Sequence, residues 1–231
     1  MKNTIAAVIF IIMSLPVISY SQFLTGFGIK GGATLSEQKI YLADGSTFYD
    51  TKPILGYNAS IYAEIINNKA FSLVIEPGYE QRGHSIEFIR TDEFGNELGI
   101  DDWFFRTYYI TIGALAKIRY SAKSVSPYLI IGPRLDLYLG YNISASNEEF
   151  YPWINEMKSP VHEDTKKTNY SLNFGAGMQF EKLFPFITFL EFNYSPAINS
   201  SYNNSFIKVK DNYYNLKLGI NFIKKKTKSK K

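Results

Sequence analysis

The residue types that could do chemistry are few and scattered along the chain. His84-Ser85-x-Glu87 puts a base, a hydroxyl and an acid within four positions, a set that hydrolyses esters or amides when the three converge in space. On a strand, however, adjacent side chains point to opposite faces, which sets His84 and Ser85 apart. His162 stands beside Glu163 and Asp164, a group suited to a metal ion or a general base, with a solvated loop as the plainer account. Asp92, Glu93, Asn96, Glu97, Asp101 and Asp102 offer hard-cation oxygens without the regular ligand spacing of a calcium loop. Gly26-x-Gly28-x-x-Gly31 matches the dinucleotide fingerprint in form, but that motif needs a helix to follow its strand. Here the strand simply continues, and small residues inside a crowded interior explain the glycines. The absence of cysteine removes thiolate metal sites, a Cys nucleophile, disulfides and a bacterial lipid anchor. The expectation is a protein that is not an enzyme, with no catalytic, cofactor-binding or metal residue assigned and no cofactor.

The elements that would carry these residues are strands. In 53–66, Leu55, Tyr57, Ala59, Ile61, Ala63 and Ile65 alternate with Gly56, Asn58, Ser60, Tyr62 and Glu64. Successive side chains of a strand face opposite ways, so one wall is apolar and the other polar. The same alternation predicts strands at about 24–35, 70–83, 104–120, 127–141, 168–181, 186–195 and 212–223. Between them lie three short turns, near 67–69, 121–126 and 181–185, and four long connections, near 36–52, 84–103, 142–167 and 196–211. Ile86, Phe88 and Ile89 carry strand character into the second connection, toward a protruding hairpin. Pro77 falls inside a strand, where a proline usually marks an edge or a bulge; a bulge is expected there.

No amphipathic helix is present to cover eight apolar walls, so the walls must face something else. The polar faces hold Lys30, Glu64, Glu76, Glu80, Arg82, Lys117, Arg119, Arg134, Asp136, Glu191 and Lys217, six basic and five acidic residues. A soluble ligand-carrying barrel would need the reverse, a greasy cavity and a wet exterior. The fold class that fits is all-β: an eight-stranded antiparallel up-and-down transmembrane barrel, with lipid outside and mutually neutralising charges inside. Strands of this length suffice to cross a bilayer, and closure leaves no unpaired edge in hydrocarbon. Eight strands enclose a space that side chains can fill, so an aqueous channel is not expected. Tyr108, Tyr109, Tyr128, Tyr194 and Tyr214 read as interfacial girdle or lumen filler.

Lys2, the apolar run Ile5 to Ile18 and Ser19-Tyr20-Ser21 form a secretory signal peptide over 1–21, leaving a barrel over 22–223 and a Lys-rich tail over 224–231. The formal net charge of +4 rests on Lys2 and on Lys224, Lys225, Lys226, Lys228, Lys230 and Lys231. Without them the chain is net negative, so no nucleic-acid surface is implied. An even strand count returns both termini to one side, expected to be periplasmic.

Several strand motifs also resemble a known family. Gly28-Ile29-Lys30-Gly31-Gly32, LVIEPGYEQRG (Leu73 to Gly83), YITIGALAK (Tyr109 to Lys117), PYLIIGPR (Pro127 to Arg134), Phe174-Gly175-Ala176-Gly177 and LEFNYS (Leu190 to Ser195) resemble the PorT-like outer membrane protein beta-barrel domain of Bacteroidetes. The chain departs at Gly113, where that family commonly has proline, and at Asn193, where it often has arginine. The resemblance implies the barrel and a Gram-negative outer-membrane address rather than a reaction. The expected role is structural or loop-mediated binding by a monomer whose partners are outer-membrane lipids and an extracellular or periplasmic protein. The alternatives are an accessory of a type IX-like secretion machine, or an outer-membrane lipid- or peptide-hydrolysing enzyme.

Overall fold

The computed structural model describes residues 24–42, 44–49, 51–65, 70–120, 122, 124–147, 165–181, 186–203 and 206–222. The expected signal peptide, the Lys-rich tail, the 67–69 turn and the group at His162 lie outside them. The strands are β1 (Leu24–Leu42), β2 (Thr47–Tyr49), β3 (Lys52–Ile65), β4 (Phe71–Thr91), β5 (Glu97–Arg119), β6 (Val125–Ala145), β7 (Thr168–Phe180), β8 (Ile187–Pro196), β9 (Tyr202–Asn203) and β10 (Ile207–Asn221). Eight long strands pair antiparallel with their neighbours in chain order, apart from the short β2 and β9, which add to the ends of β1 and β10. β10 then pairs with β1, from Gly28 opposite Asn221 to Leu42 opposite Ile207, and closes the ring.

The alternation decides which wall faces where. Leu55 on β3 is 69% exposed, Leu129 on β6 61% and Leu218 on β10 67%, while Asn58, Glu64, Asp136 and Lys217 between them are buried. The outward apolar band ends on β4 at Tyr79, begins on β5 at Ile110 and begins on β10 at Tyr214. Aromatic rings mark its edges. Tyr57, Tyr79 and Tyr108 follow one another around one rim with centroids 5.9 and 6.3 Å apart, Tyr194 stacks on Tyr214 at 4.9 Å, and Phe27 meets Phe222 at the other rim. Amphipathic rings favour the boundary between hydrocarbon and water. Of the five tyrosines read as girdle or filler, Tyr108, Tyr194 and Tyr214 are girdle, whereas Tyr109 and Tyr128 are buried inside. An arginine at Leu218 is expected to cost about 2–4 kcal/mol, the penalty for a cation on a lipid face near mid-membrane. Urea unfolding of the L218R variant in phospholipid vesicles measures it.

Two expectations are corrected. Pro77 stands opposite Ile112 in an unbroken β4–β5 ladder, and the β3–β4 register is the same on either side of it. A proline lacks only its own N–H, so on this strand it costs a ladder bond without displacing the register. The irregularity sits higher, between Pro53 and Asn58 of β3, beside Gly83. A Cβ on Gly83 would stand 1.8 Å from the Phe105 carbonyl oxygen, so only glycine permits that approach. The second correction concerns length. β1, β4, β5, β6 and β10 run past the apolar band into segments read as loop; the 84–103 connection is the protruding hairpin expected from its sequence, closed at Asp92–Asn96.

Candidate functional site

The lumen is filled in three tiers, named here from the end with short turns to the end with long connections. The lowest tier is apolar: Tyr62, Val74, Leu115, Tyr128, Ile130 and Phe189 pack together, all buried. Three of these rings lie over strand glycines. Cβ atoms built on Gly28, Gly177 and Gly219 would stand 2.7, 2.3 and 2.1 Å from the rings of Tyr62, Tyr128 and Phe189. Gly28, the middle glycine of the apparent nucleotide fingerprint, therefore makes room for strand pairing and for a lumen ring. The cavity left among these side chains is about 10 Å³, around one water at most.

Above and among the rings, Lys30 Nζ lies 2.7 Å from Glu76 and 2.9 Å from Glu191. Lys217 Nζ also binds Glu76 at 2.7 Å; on the short-turn side of Tyr62 and Leu115, Lys117 and Arg119 share Glu64. Tyr128 donates its hydroxyl to Glu191 at 3.0 Å, which ties the two tiers together. Higher still, Arg82, Glu80, Arg134 and Asp136 alternate in a closed ring of four charges. Arg82 Nε binds Glu80 at 2.8 Å and its Nη1 binds Asp136 at 3.0 Å. Arg134 Nε binds Asp136 at 2.8 Å, and its Nη2 pairs with Glu80. The Tyr213 ring lies 3.5 Å from the Arg82 guanidinium carbon, so a π face meets the cation where Nη2 has no hydrogen-bond acceptor. Every charge assigned to the lumen by alternation is buried there, and Asp211, read as loop, joins them. With Asp101, the buried charges among the described residues number six basic and seven acidic. Burying them is tolerable because each has a partner.

Above the outward apolar band, the inward faces of the rising strands change character. On β4 the series Arg82, His84, Ile86, Phe88 passes from charged to apolar, and on β5 Tyr109, Thr107, Phe105, Trp103 passes from hydroxyl-bearing to apolar. His84, Ile86, Phe88 and this β5 series line, with Gln38, Ile40 and Val209, an open pocket of about 480 Å³. Tyr109 is its floor, since the other side of that ring lies 4.7 Å from Arg82. His84 stacks on Phe105 with centroids 4.8 Å apart and planes 5° from parallel. Its Nδ1 lies 2.5 Å from Gln38 Oε1, Gln38 Nε2 donates to Asp211 at 2.8 Å, and Ser201 Oγ donates to the same carboxylate at 2.9 Å. Burial pushes the His84 imidazole down to about 4, because a charged ring would lose its hydration there.

The residues singled out from sequence part company. His84 binds Gln38, while Glu87 pairs with Lys52 at the surface, so His84, Ser85 and Glu87 form no relay. Asp92 closes the hairpin: its Oδ1 accepts from the Phe94 and Asn96 backbone N–H groups at 2.9 and 2.8 Å, and its Oδ2 from Asn96 Nδ2. Those bonds hold its carboxyl below the usual carboxylate range. Asp101 turns instead to Arg90 at 3.2 Å. Among the described residues no three acids or histidines converge on a point. The pocket was not recognised from the sequence, although the inward alternation on 82–88 and 103–109 contained the signal.

No curated protein matches the chain. Among solved structures it is similar to the attachment invasion locus protein Ail of Yersinia pestis, at 17% identity and TM-score 0.37 over 85% of this chain and 98% of that one. Neisserial surface protein A is similar at 18% identity and TM-score 0.45, over 86% and 99%. OprG of Pseudomonas aeruginosa is similar at 12% identity and TM-score 0.40, over 87% and 97%. Residues 20–203 match the family model of the outer membrane protein beta-barrel domain, and the chain, a closed ring of antiparallel strands with an apolar outer wall, belongs to that family.

Proposed function

We propose that this outer-membrane barrel is closed to ions and non-enzymatic, works as a monomer, and acts through the end that carries its long connections. The filled lumen carries this reading: a ring of four alternating charges lies above a layer of packed rings, and the cavity among the described side chains of that layer is about 10 Å³. The separate partners of His84 and Glu87 support a role without hydrolysis. Barrels of this kind put short turns in the periplasm and long loops outside, a rule that supports a pocket on the outside and both termini in the periplasm. The signal-peptide pattern over 1–21 and the PorT-like strand motifs support an exported protein of the Bacteroidetes branch. Purified protein, verified as folded by heat-modifiable gel migration, is expected to leave planar bilayers at their lipid-only conductance. Discrete openings above that background would overturn the closed-lumen reading.

A further inference from the structure

The charged ring below the pocket makes the pocket blind, and the polar atoms on its wall can be counted. Gln38 is held at both ends. Its amide nitrogen faces the Asp211 carboxylate at 2.8 Å, so its oxygen must be the atom facing His84 Nδ1 at 2.5 Å. An amide oxygen only accepts, so Nδ1 carries the imidazole hydrogen. The proton of a neutral ring is then used, and Nε2 is left with a lone pair. Asp211 is occupied in turn by Gln38 and Ser201. Beside His84 the lining holds Ile40, Ile86, Phe88, Trp103, Phe105 and Val209, with hydroxyls from Thr107, Tyr109, Tyr141, Thr165, Ser201 and Tyr202, and no charged side chain among the described lining residues. Pockets that hold small molecules combine such an apolar wall with a few placed polar groups, in volumes of about 300–1,000 Å³.

We infer that this pocket binds a small aromatic or polycyclic molecule bearing a hydroxyl, which donates its hydrogen bond to His84 Nε2 while its rings lie against Phe105 and Trp103. A carboxylate or phosphate would meet a lone pair and no cation, and an ammonium would meet no carboxylate among the described lining residues. A hydroxyl donor satisfies the acceptor at no cost in charge desolvation. The inference rests on the closed-lumen reading, because Tyr109 and the charged ring are the pocket's floor.

The probe pair is 2-naphthol and 2-methoxynaphthalene, which share a ring system but differ in the donor. Trp103 reports binding once the chain's other tryptophan is removed in W153F. In lipid nanodiscs both compounds are expected to quench Trp103 saturably. The ratio of their affinities should favour the hydroxyl about tenfold more in W153F than in W153F/H84F, the worth of one neutral hydrogen bond. Lipid partitioning cancels in that comparison of ratios, and phenylalanine keeps the stack on Phe105. A second variant, W153F/V209F, narrows the pocket without adding a tryptophan and should abolish saturable quenching by both compounds while heat-modifiable migration stays unchanged. Equal ratios with and without His84, or quenching that survives W153F/V209F, would overturn the assignment. Bilayer conductance on the same preparation separates the two readings: an open barrel defeats the closed lumen, whereas a closed barrel without saturable quenching defeats only the pocket.

Discussion

Asp136→Ala is expected to cost about 3–5 kcal/mol, the range for breaking a buried ion pair by removing one partner. The carboxylate accepts from Arg82 at 3.0 Å and Arg134 at 2.8 Å, and from the Tyr213 hydroxyl at 3.3 Å. Its loss leaves two guanidinium groups facing each other with only Glu80 between them. Urea titration of vesicle-reconstituted protein should show a lower unfolding midpoint. Asp136→Asn keeps the volume and should fall in the same direction, which assigns the effect to charge rather than to a void. Replacing the pair together, as R82M/D136L, should recover much of the loss, because well-packed apolar side chains often match a buried pair. Midpoints unchanged in the single variants would mean that water reaches these charges, and the closed lumen would go with them.

Gly219→Val should be about as damaging for a steric reason. A Cβ at 219 would stand 2.1 Å from Cζ of Phe189, so the ring must leave the apolar tier. Overpacking costs about 1–3 kcal/mol, and expelling a buried phenylalanine adds a penalty of the kind seen on truncation, about 3–5 kcal/mol. The check is a double-mutant cycle with Phe189→Ala, read by unfolding midpoint. Each single change should destabilise, and the double variant should be more stable than the sum of the two predicts. Additive losses would show that ring and glycine are not in contact.

These variants probe the parts that differ most in how they could be read beforehand. Lys30, Glu64, Arg82, Asp136 and their companions were assignable to the interior because side-chain direction alternates residue by residue, a local property. Their partners were not assignable. Lys30 meets Glu76, 46 residues on, and Glu191, 161 residues on, and only the closed sheet brings those strands to one height. Val74, Leu115, Ile130 and Phe189 also escaped notice as a core. They are apolar residues on the polar face, and alternation alone marks them as exceptions rather than as a group. Pro77 shows the opposite error. A rule about single residues predicted a bulge, yet pairing along the whole strand held the register and the irregularity moved to Pro53–Asn58.

By itself the sequence determined the two-faced wall, the strand count, the inward set of acids and bases and the need for lipid outside. Each follows from a two-residue period and the cost of leaving charge or backbone in hydrocarbon. The tertiary structure alone decided how the interior is divided: an apolar tier, a closed ring of charges and, where the strands outgrow the band, a pocket walled by Trp103, Phe105 and His84. Strand height and register set these layers, and both are properties of the closed ring, since a side chain's level in the lumen depends on how far every neighbouring strand has slid along it.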